Sequence, residues 1–271
     1  MIQEFATYLT SLRGYAENTV RAYVKDLKEF VSWVNKNIPE ARWSTITRTD
    51  IDKYIIYQQQ RGLKPSTTNR QLASISGLYR YLQRQGHEIT NPTKYESRRK
   101  LHQTIPTTIP LADIKKAYKY NTGLKKAMIG ILATTGIRIQ ELLDLTWEDI
   151  NFSTNELLIH GKGSKERIVK TETEILRPWK ELIDLTHSHG RIFFIGQRKA
   201  REILYDALRP YTRSKHLNPH TIRHTFATQL ALNGENVTTI AKMLGHSNIS
   251  TTQKYIDLST QKTAHPGISL T

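Results

Sequence analysis

Apolar side chains recur at helical spacing through the first ninety residues. Phe5, Tyr8, Leu9 and Leu12 share one face, and Val20, Tyr23, Val24, Leu27, Phe30, Val31 and Val34 form a longer stripe. That three-to-four-residue period predicts amphipathic helices. Asn18-Thr19 is the expected N-terminal cap of the second. Thr49-Asp50 opens a third helix running to Gln60, where Arg61-Gly62 ends it. Pro65-Ser66-Thr67 starts a fourth, with Leu72, Ile75, Leu78, Tyr79 and Leu82 on one face and Gly86 as its stop. Four helices with short connections predict a small bundle.

Residues 91–109 read as a linker, because Asn91-Pro92 and Pro106 interrupt regular structure and Arg98-Arg99-Lys100 is a charge run. From residue 110 the pattern becomes mixed. Helices are predicted over 111–120, 124–134 and 138–145. Two β-prone runs, Glu156–His160 and Glu166–Thr171, flank Gly161-Lys162-Gly163-Ser164-Lys165, a hairpin signal. Helical patterns return at 172–185 and 198–212. Another helix begins at Asn218-Pro219, a cap residue followed by proline in the first helical position, and stops at Asn233-Gly234. Two short helices follow, over 236–244 and 248–258. The expected fold is therefore mainly α with a small β-sheet: a helical bundle over 1–90, a linker over 91–109 and an α+β domain over 110–271.

Charge adds a partner to this picture. Lys and Arg number 40 against 24 Asp and Glu, a formal charge of +16, and the excess is shared equally between residues 1–103 and 104–271. Both parts suit a polyanion, and nucleic acid is the leading candidate. The longest apolar stretch, around Ala127–Ala133, is too short to span a bilayer. The N-terminal MIQEFATYL lacks a basic leader and carries Glu4, so no signal peptide is expected. The simplest expectation is an intracellular protein without a membrane partner, cytoplasmic and nucleoid-associated if nucleic acid is what it binds. The chain has no cysteine, which removes disulfides, thiolate-bound metals and a thiol nucleophile.

Several residues suit a phosphodiester. Arg138 follows Thr135-Gly136-Ile137 at a helix start, where free backbone N–H groups favour anions. Lys162 sits between two glycines in the hairpin turn. His220 and Arg223 share a helix face at i and i+3. His246 follows Leu244-Gly245 at another helix junction, and Tyr255 lies nine residues beyond it. Taken singly, each is more often an ordinary surface or core residue. His220 and His224 stand at i and i+4 with no intervening Glu, so a zinc-protease motif fails.

As a set, TTGIRIQELLDLTWEDI (134–150), IHGKGSKERIVKT (159–171), NPHTIRHTFATQLALNG (218–234) and AKMLGHSNISTTQKY (241–255) resemble the catalytic boxes of the tyrosine recombinase/integrase family, in order and in spacing. The 1–90 module is similar in architecture to that family's core-binding domain. The compact layout looks most like Xer-type recombinases and small mobile-element integrases.

The resemblance implies a C-shaped DNA clamp and a catalytic set of Arg138, Lys162, His220, Arg223, His246 and Tyr255. Glu141 is implied as an acidic neighbour of the first arginine, and Lys165 as the alternative hairpin lysine. Tyr255 would attack phosphorus to give a 3′-phosphotyrosine, with two arginine forks on the non-bridging oxygens. Lys162 would be the general acid and His220 the base. No metal or cofactor is expected. Arg70, Arg80, Arg84, Arg98, Arg99, Lys100 and Lys165 are candidate DNA contacts, with a solvated surface as their plain alternative.

The implied partners are double-stranded DNA carrying specific recombination sites and further copies of the chain, four in a synaptic complex with exchanged C-terminal tails. Accessory proteins are an open possibility. Two alternatives stand beside recombination: a non-catalytic DNA-binding relative, and a topoisomerase-like enzyme that rejoins the same strand.

Overall fold

The computed structural model describes residues 1–94, 106–161, 165–171, 173–183, 189–246 and 248–263. The chain divides into two compact units, Met1–His102 and Gln103–Thr271.

The first unit is built from α1 (Ile2–Ser11), α2 (Glu17–Asn37), α3 (Arg48–Gln60) and α4 (Pro65–Arg84). The apolar stripes meet in one core that includes Phe5, Leu27, Phe30, Trp33, Ile51, Tyr54, Ile75, Leu78 and Tyr79. Each such side chain contributes roughly 1.5–3 kcal/mol by leaving water. Phe30 and Tyr54 meet edge to face with ring centroids 4.9 Å apart.

Two helix starts differ from the sequence reading. Helix α2 begins one residue before Asn18, with Ala16 as its cap and no side-chain cap bond. Helix α3 is capped by Thr47, whose hydroxyl accepts from the Asp50 N–H while the Asp50 carboxylate accepts from the Thr47 N–H. Asp50 is thus the third residue of a capping box, and the box moves the helix start back from Thr49. Pro65 opens α4 as expected.

The second unit contains α5 (Leu111–Tyr120), α6 (Gly123–Thr135), α7 (Ile139–Asp144), β1 (Ile150–Asn151), β2 (Glu156–His160), β3 (Glu166–Lys170), α8 (Arg177–Ile183), α9 (Gln197–Leu208), α10 (Pro219–Leu232), α11 (Val237–Leu244) and α12 (Ser250–Thr263). The sheet has order β1-β2-β3 with antiparallel neighbours, and His160 pairs with Glu166 at the hairpin end. Strand β1, only two residues long, has no signal of its own in the sequence. Helix α9 ends at Leu208 rather than 212 because Arg209–Tyr211, holding Pro210, forms a tighter turn.

Burial sorts these elements into a large core and a small one. The large core gathers α5, α6, α7, α9 and the sheet around Met128, Ile131, Leu142, Leu157 and Leu204. The small core joins Ala227 and Ala231 of α10, Ile240 and Leu244 of α11, and Tyr255 of α12. Gly136 ends α6 in the left-handed region at φ 62°. A Cβ there would stand 2.3 Å from Phe226 Cδ1, so the close passage of α6 beneath α10 requires glycine.

Candidate active site

Three chain reversals deliver the site. Gly136 turns the chain from α6 into α7 and places Arg138 at the α7 N-terminus. Asn218 caps α10 through the Thr221 N–H, so that α10 opens with His220, Arg223 and His224 over its first turns. Gly245, at φ 65°, ends α11 and leads through His246 into α12. Arg138, His220, Arg223, His224, His246, Lys254 and Tyr255 then line one cavity of about 250 Å³.

Arg223 is 3% exposed. Its guanidinium donates to the Gly136 carbonyl at 2.7 Å and the Leu244 carbonyl at 2.7 Å, linking two of the reversals. Burial, and then the charge of Arg138, lower its pKa to about 10, so it remains a cation at neutral pH. Arg138 donates from Nη2 to the Gly245 carbonyl at 3.0 Å and from Nη1 to Glu141 at 2.8 Å. The Glu141 carboxylate also accepts from the Arg138 backbone N–H at 2.8 Å. Burial opposes ionisation of Glu141, but hydrogen bonds from Arg167 and Arg138 outweigh it and hold the carboxyl below the usual range.

Tyr255 is 1% exposed. Burial pushes its phenol up to about 12, although Arg223 pulls the other way. Its hydroxyl oxygen lies 2.6 Å from His224 Nδ1. Burial and the nearby charge of Lys254 hold His224 down to about 4. His246 Nδ1 is 2.7 Å from the Thr252 hydroxyl, and burial followed by Arg223 lowers it to about 4. His220 is open to solvent on one side, yet surrounding protein and then the Arg223 and Arg138 charges depress its imidazole. His224 and His246 are therefore neutral acceptors or donors at pH 7, and His220 is biased toward its neutral form. The Lys254 ammonium sits 5.2 Å from the Tyr255 ring centroid.

Five of the six residues singled out from the sequence thus share this cavity. Lys162 lies outside the described residues, as do Arg98, Arg99 and Lys100. Lys165 is exposed immediately before β3, where its carbonyl accepts from the Gly161 N–H at 2.7 Å. In the first unit, Arg70 is tied to buried Asp26 at 2.6 Å. The Arg84 guanidinium stands 5.9 Å from the Tyr8 ring centroid. Arg80 lines a surface groove with Ser76, Gln83 and Lys94.

The sequence reading assigned no catalytic role to three residues that the fold brings to the site: His224, weighed only for a metal motif, Lys254 and Arg167. His224 and Lys254 are each adjacent to a residue that was singled out. Arg167 left a subtler signal, being an arginine two residues from buried Val169 on the same face of β3. Among the described residues no group of three acidic or histidine side chains could hold a metal ion.

Comparison with known proteins matches residues 111–262 to the phage integrase family and residues 2–86 to the phage integrase N-terminal SAM-like domain. Tyrosine recombinase XerD of Listeria monocytogenes is 32% identical, with 94% of this chain and 93% of the relative aligned. Tyrosine recombinase XerC of Herpetosiphon aurantiacus is 30% identical, with 96% and 91% aligned. Among solved structures, XerH recombinase bound to palindromic difH substrate superposes with a TM-score of 0.78 at 20% identity, covering 97% of this chain and 82% of that one. A lambda integrase dimer bound to a COC′ core site gives 0.74 at 17% identity, covering 100% and 79%.

Proposed function

The chain belongs to the phage integrase family and is a site-specific tyrosine recombinase, and from that premise we propose that Tyr255 cleaves duplex DNA through a 3′-phosphotyrosine. The observation that carries the assignment is the convergence of Tyr255, Arg138, Arg223, His220 and His246 on one cavity.

In this reading the phenol oxygen bonds to phosphorus as the bond to the 5′-oxygen breaks. The phenol proton passes to an imidazole. His224 is the one in contact with the hydroxyl, so it stands before His220, the base expected from the sequence, as first acceptor. Lys162 supplies the proton that the 5′-oxygen needs to leave. Arg138 and Arg223 bind the non-bridging oxygens, where charge accumulates, and His246 adds a donor. The covalent link conserves the bond energy, so a 5′-hydroxyl from a partner strand reverses the attack without ATP.

Double-stranded DNA with specific recombination sites is the substrate, and the sharing of positive charge between both parts of the chain supports contacts from each. Four copies are proposed to join two sites, with C-terminal tails docking on neighbours. Deleting residues 260–271 should then leave DNA binding intact and weaken recombination; unchanged recombination would remove tail docking. The proposed location is the cytoplasm, where the DNA lies.

The test is an SDS-resistant protein–DNA adduct on nicked duplexes built from sequences flanking the gene. Wild type should form it and Tyr255→Phe should not. Binding without an adduct would favour a non-catalytic relative. An adduct resolved only by rejoining of the original strand would favour topoisomerase-like chemistry.

A further inference from the structure

Glu141 raises an electrostatic problem. It is 7% exposed and lies 2.8 Å from the Arg138 guanidinium. An ionised carboxylate at that distance and that depth largely cancels the charge of its partner. Arg138 and Glu141 alone would present phosphate with a neutral pair.

Arg167 removes the problem. Its Nη2 donates to Glu141 Oε2 at 2.7 Å and its Nη1 to Oε1 at 3.1 Å, a two-pronged grip on the carboxylate. The Arg167 side chain is only 14% exposed, so this attraction is weakly screened. Its Nε donates to the Met243 carbonyl at 2.9 Å, which fixes the fork against the last turn of α11. A Cβ on Gly245 would stand 3.0 Å from Arg167 Nη1, so the guanidinium lies flat against that glycine. With Arg223 included, three guanidiniums face one carboxylate. The excess of two positive charges matches a phosphodiester that gains about one further negative charge along the way to pentacoordinate phosphorus.

We propose that Arg167 is a positioning residue of the cleavage step: it neutralises Glu141, which then orients Arg138 without quenching its charge toward the scissile phosphate. This rests on the recombinase reading given above. It differs from a purely mechanical strut in one respect. If Arg167 acts by charge, removing the charge of Glu141 should repair the loss of Arg167; if it acts as a strut, that second change should make matters worse.

The experiment compares the initial rate of adduct formation at saturating nicked DNA for wild type, Arg167→Gln, Arg167→Lys and the Arg167→Gln/Glu141→Gln double variant, with melting temperatures taken in parallel. Arg167→Gln should slow the rate by about 10- to 100-fold, as losing the group that orients a site's primary ligand does. Arg167→Lys keeps the charge but loses the fork, and its rate should fall between those of Arg167→Gln and wild type. The double variant should run faster than Arg167→Gln. A double variant that is folded and slower than Arg167→Gln overturns the inference.

Affinity for inorganic phosphate, measured by calorimetry on the same proteins, provides a readout without chemistry. Arg167→Gln should weaken it and Glu141→Gln should restore it. If wild type formed no adduct, the recombinase reading would fall while the charge argument would still stand or fall on phosphate. Equal phosphate affinity in all four proteins would overturn it.

Discussion

His224 Nδ1 lies 2.6 Å from the Tyr255 hydroxyl oxygen, yet burial drives the two groups in opposite directions, the imidazole down to about 4 and the phenol up to about 12. The proton therefore stays on the phenol oxygen in the DNA-free protein, and the proposed nucleophile is held neutral. A phosphate bound in the cavity brings negative charge that favours an imidazolium. His224→Gln keeps an acceptor for the phenol but cannot take its proton. We expect near-wild-type DNA affinity and melting temperature, and a rate of adduct formation lower by about 100-fold or more. His220→Gln should cost less. An unchanged rate in His224→Gln would return the role of base to His220.

Stability should respond to acid in opposite directions in the two units. His224 and His246 ionise at about 4 when folded, against about 6.5 in an unfolded chain. The unfolded chain thus binds more protons between these values. Their contribution is complete above about pH 6.5 and is lost as the pH falls toward 4. His160, raised by Asp149 and Glu166, pulls the other way, but it is half exposed and screened.

In the first unit, burial raises Asp26 to about 6 against the pull of Arg70. Its ionised form is the disfavoured one, so the penalty is relieved as the pH falls through 6. Hydrogen exchange, corrected for intrinsic rates, should show α10–α12 losing protection between about pH 7 and pH 5 while α2 and α4 gain it. Uniform loss in both units would contradict these assignments.

Gly136→Ala should be among the most damaging single changes. It sets a Cβ at 2.3 Å from Phe226 Cδ1 and forces a left-handed conformation on alanine. The cost is about 2–4 kcal/mol, summing steric overlap and backbone strain. Because the Gly136 carbonyl holds Arg223, cleavage should fall further than the melting temperature alone would explain. Urea denaturation alongside the adduct assay separates the two effects.

Two arginines of α4 should behave differently on DNA. Arg70 is held by Asp26 and also donates to the Ala22 carbonyl. Arg70→Ala should destabilise the protein by about 1–2 kcal/mol, discounted because Arg70 is 40% exposed. It should leave the salt dependence of DNA binding unaltered. Arg80 lines an open groove. If it meets a phosphate, Arg80→Ala lowers the slope of log affinity against log salt by about 1. Identical slopes for wild type and Arg80→Ala would make it a solvated surface residue.

What the sequence disclosed follows from what is local. Helix faces were legible because their apolar residues answer to a core on one side, as Leu72, Ile75 and Leu78 do. The hairpin was legible from its glycines. Strand β3 shows where local reading stops. In Glu-Arg-Ile-Val-Lys, adjacent Ile168 and Val169 leave the inward face open on hydropathy alone, and the fold exposes Ile168 and draws Arg167 in beside Val169. The partners responsible, Glu141 and Met243, lie 26 and 76 residues away along the chain. The same distance hid His224: position alone made it an ordinary helical histidine until α12 folded back and set Tyr255 against it.

Arg223 is oriented by two main-chain oxygens rather than by side chains. A backbone carbonyl is the one acceptor that point mutation does not delete. Position 244 can therefore drift among apolar residues of similar size without loosening the arginine. Its orientation is inherited through the course of the chain, which depends on glycine at 136 but on no particular apolar side chain at 244. Selection at this spot acts on path more than on composition. A comparison of diverged copies should find position 244 varying among apolar residues beside an arginine that never moves, with glycine held at 136 by its crowded left-handed turn.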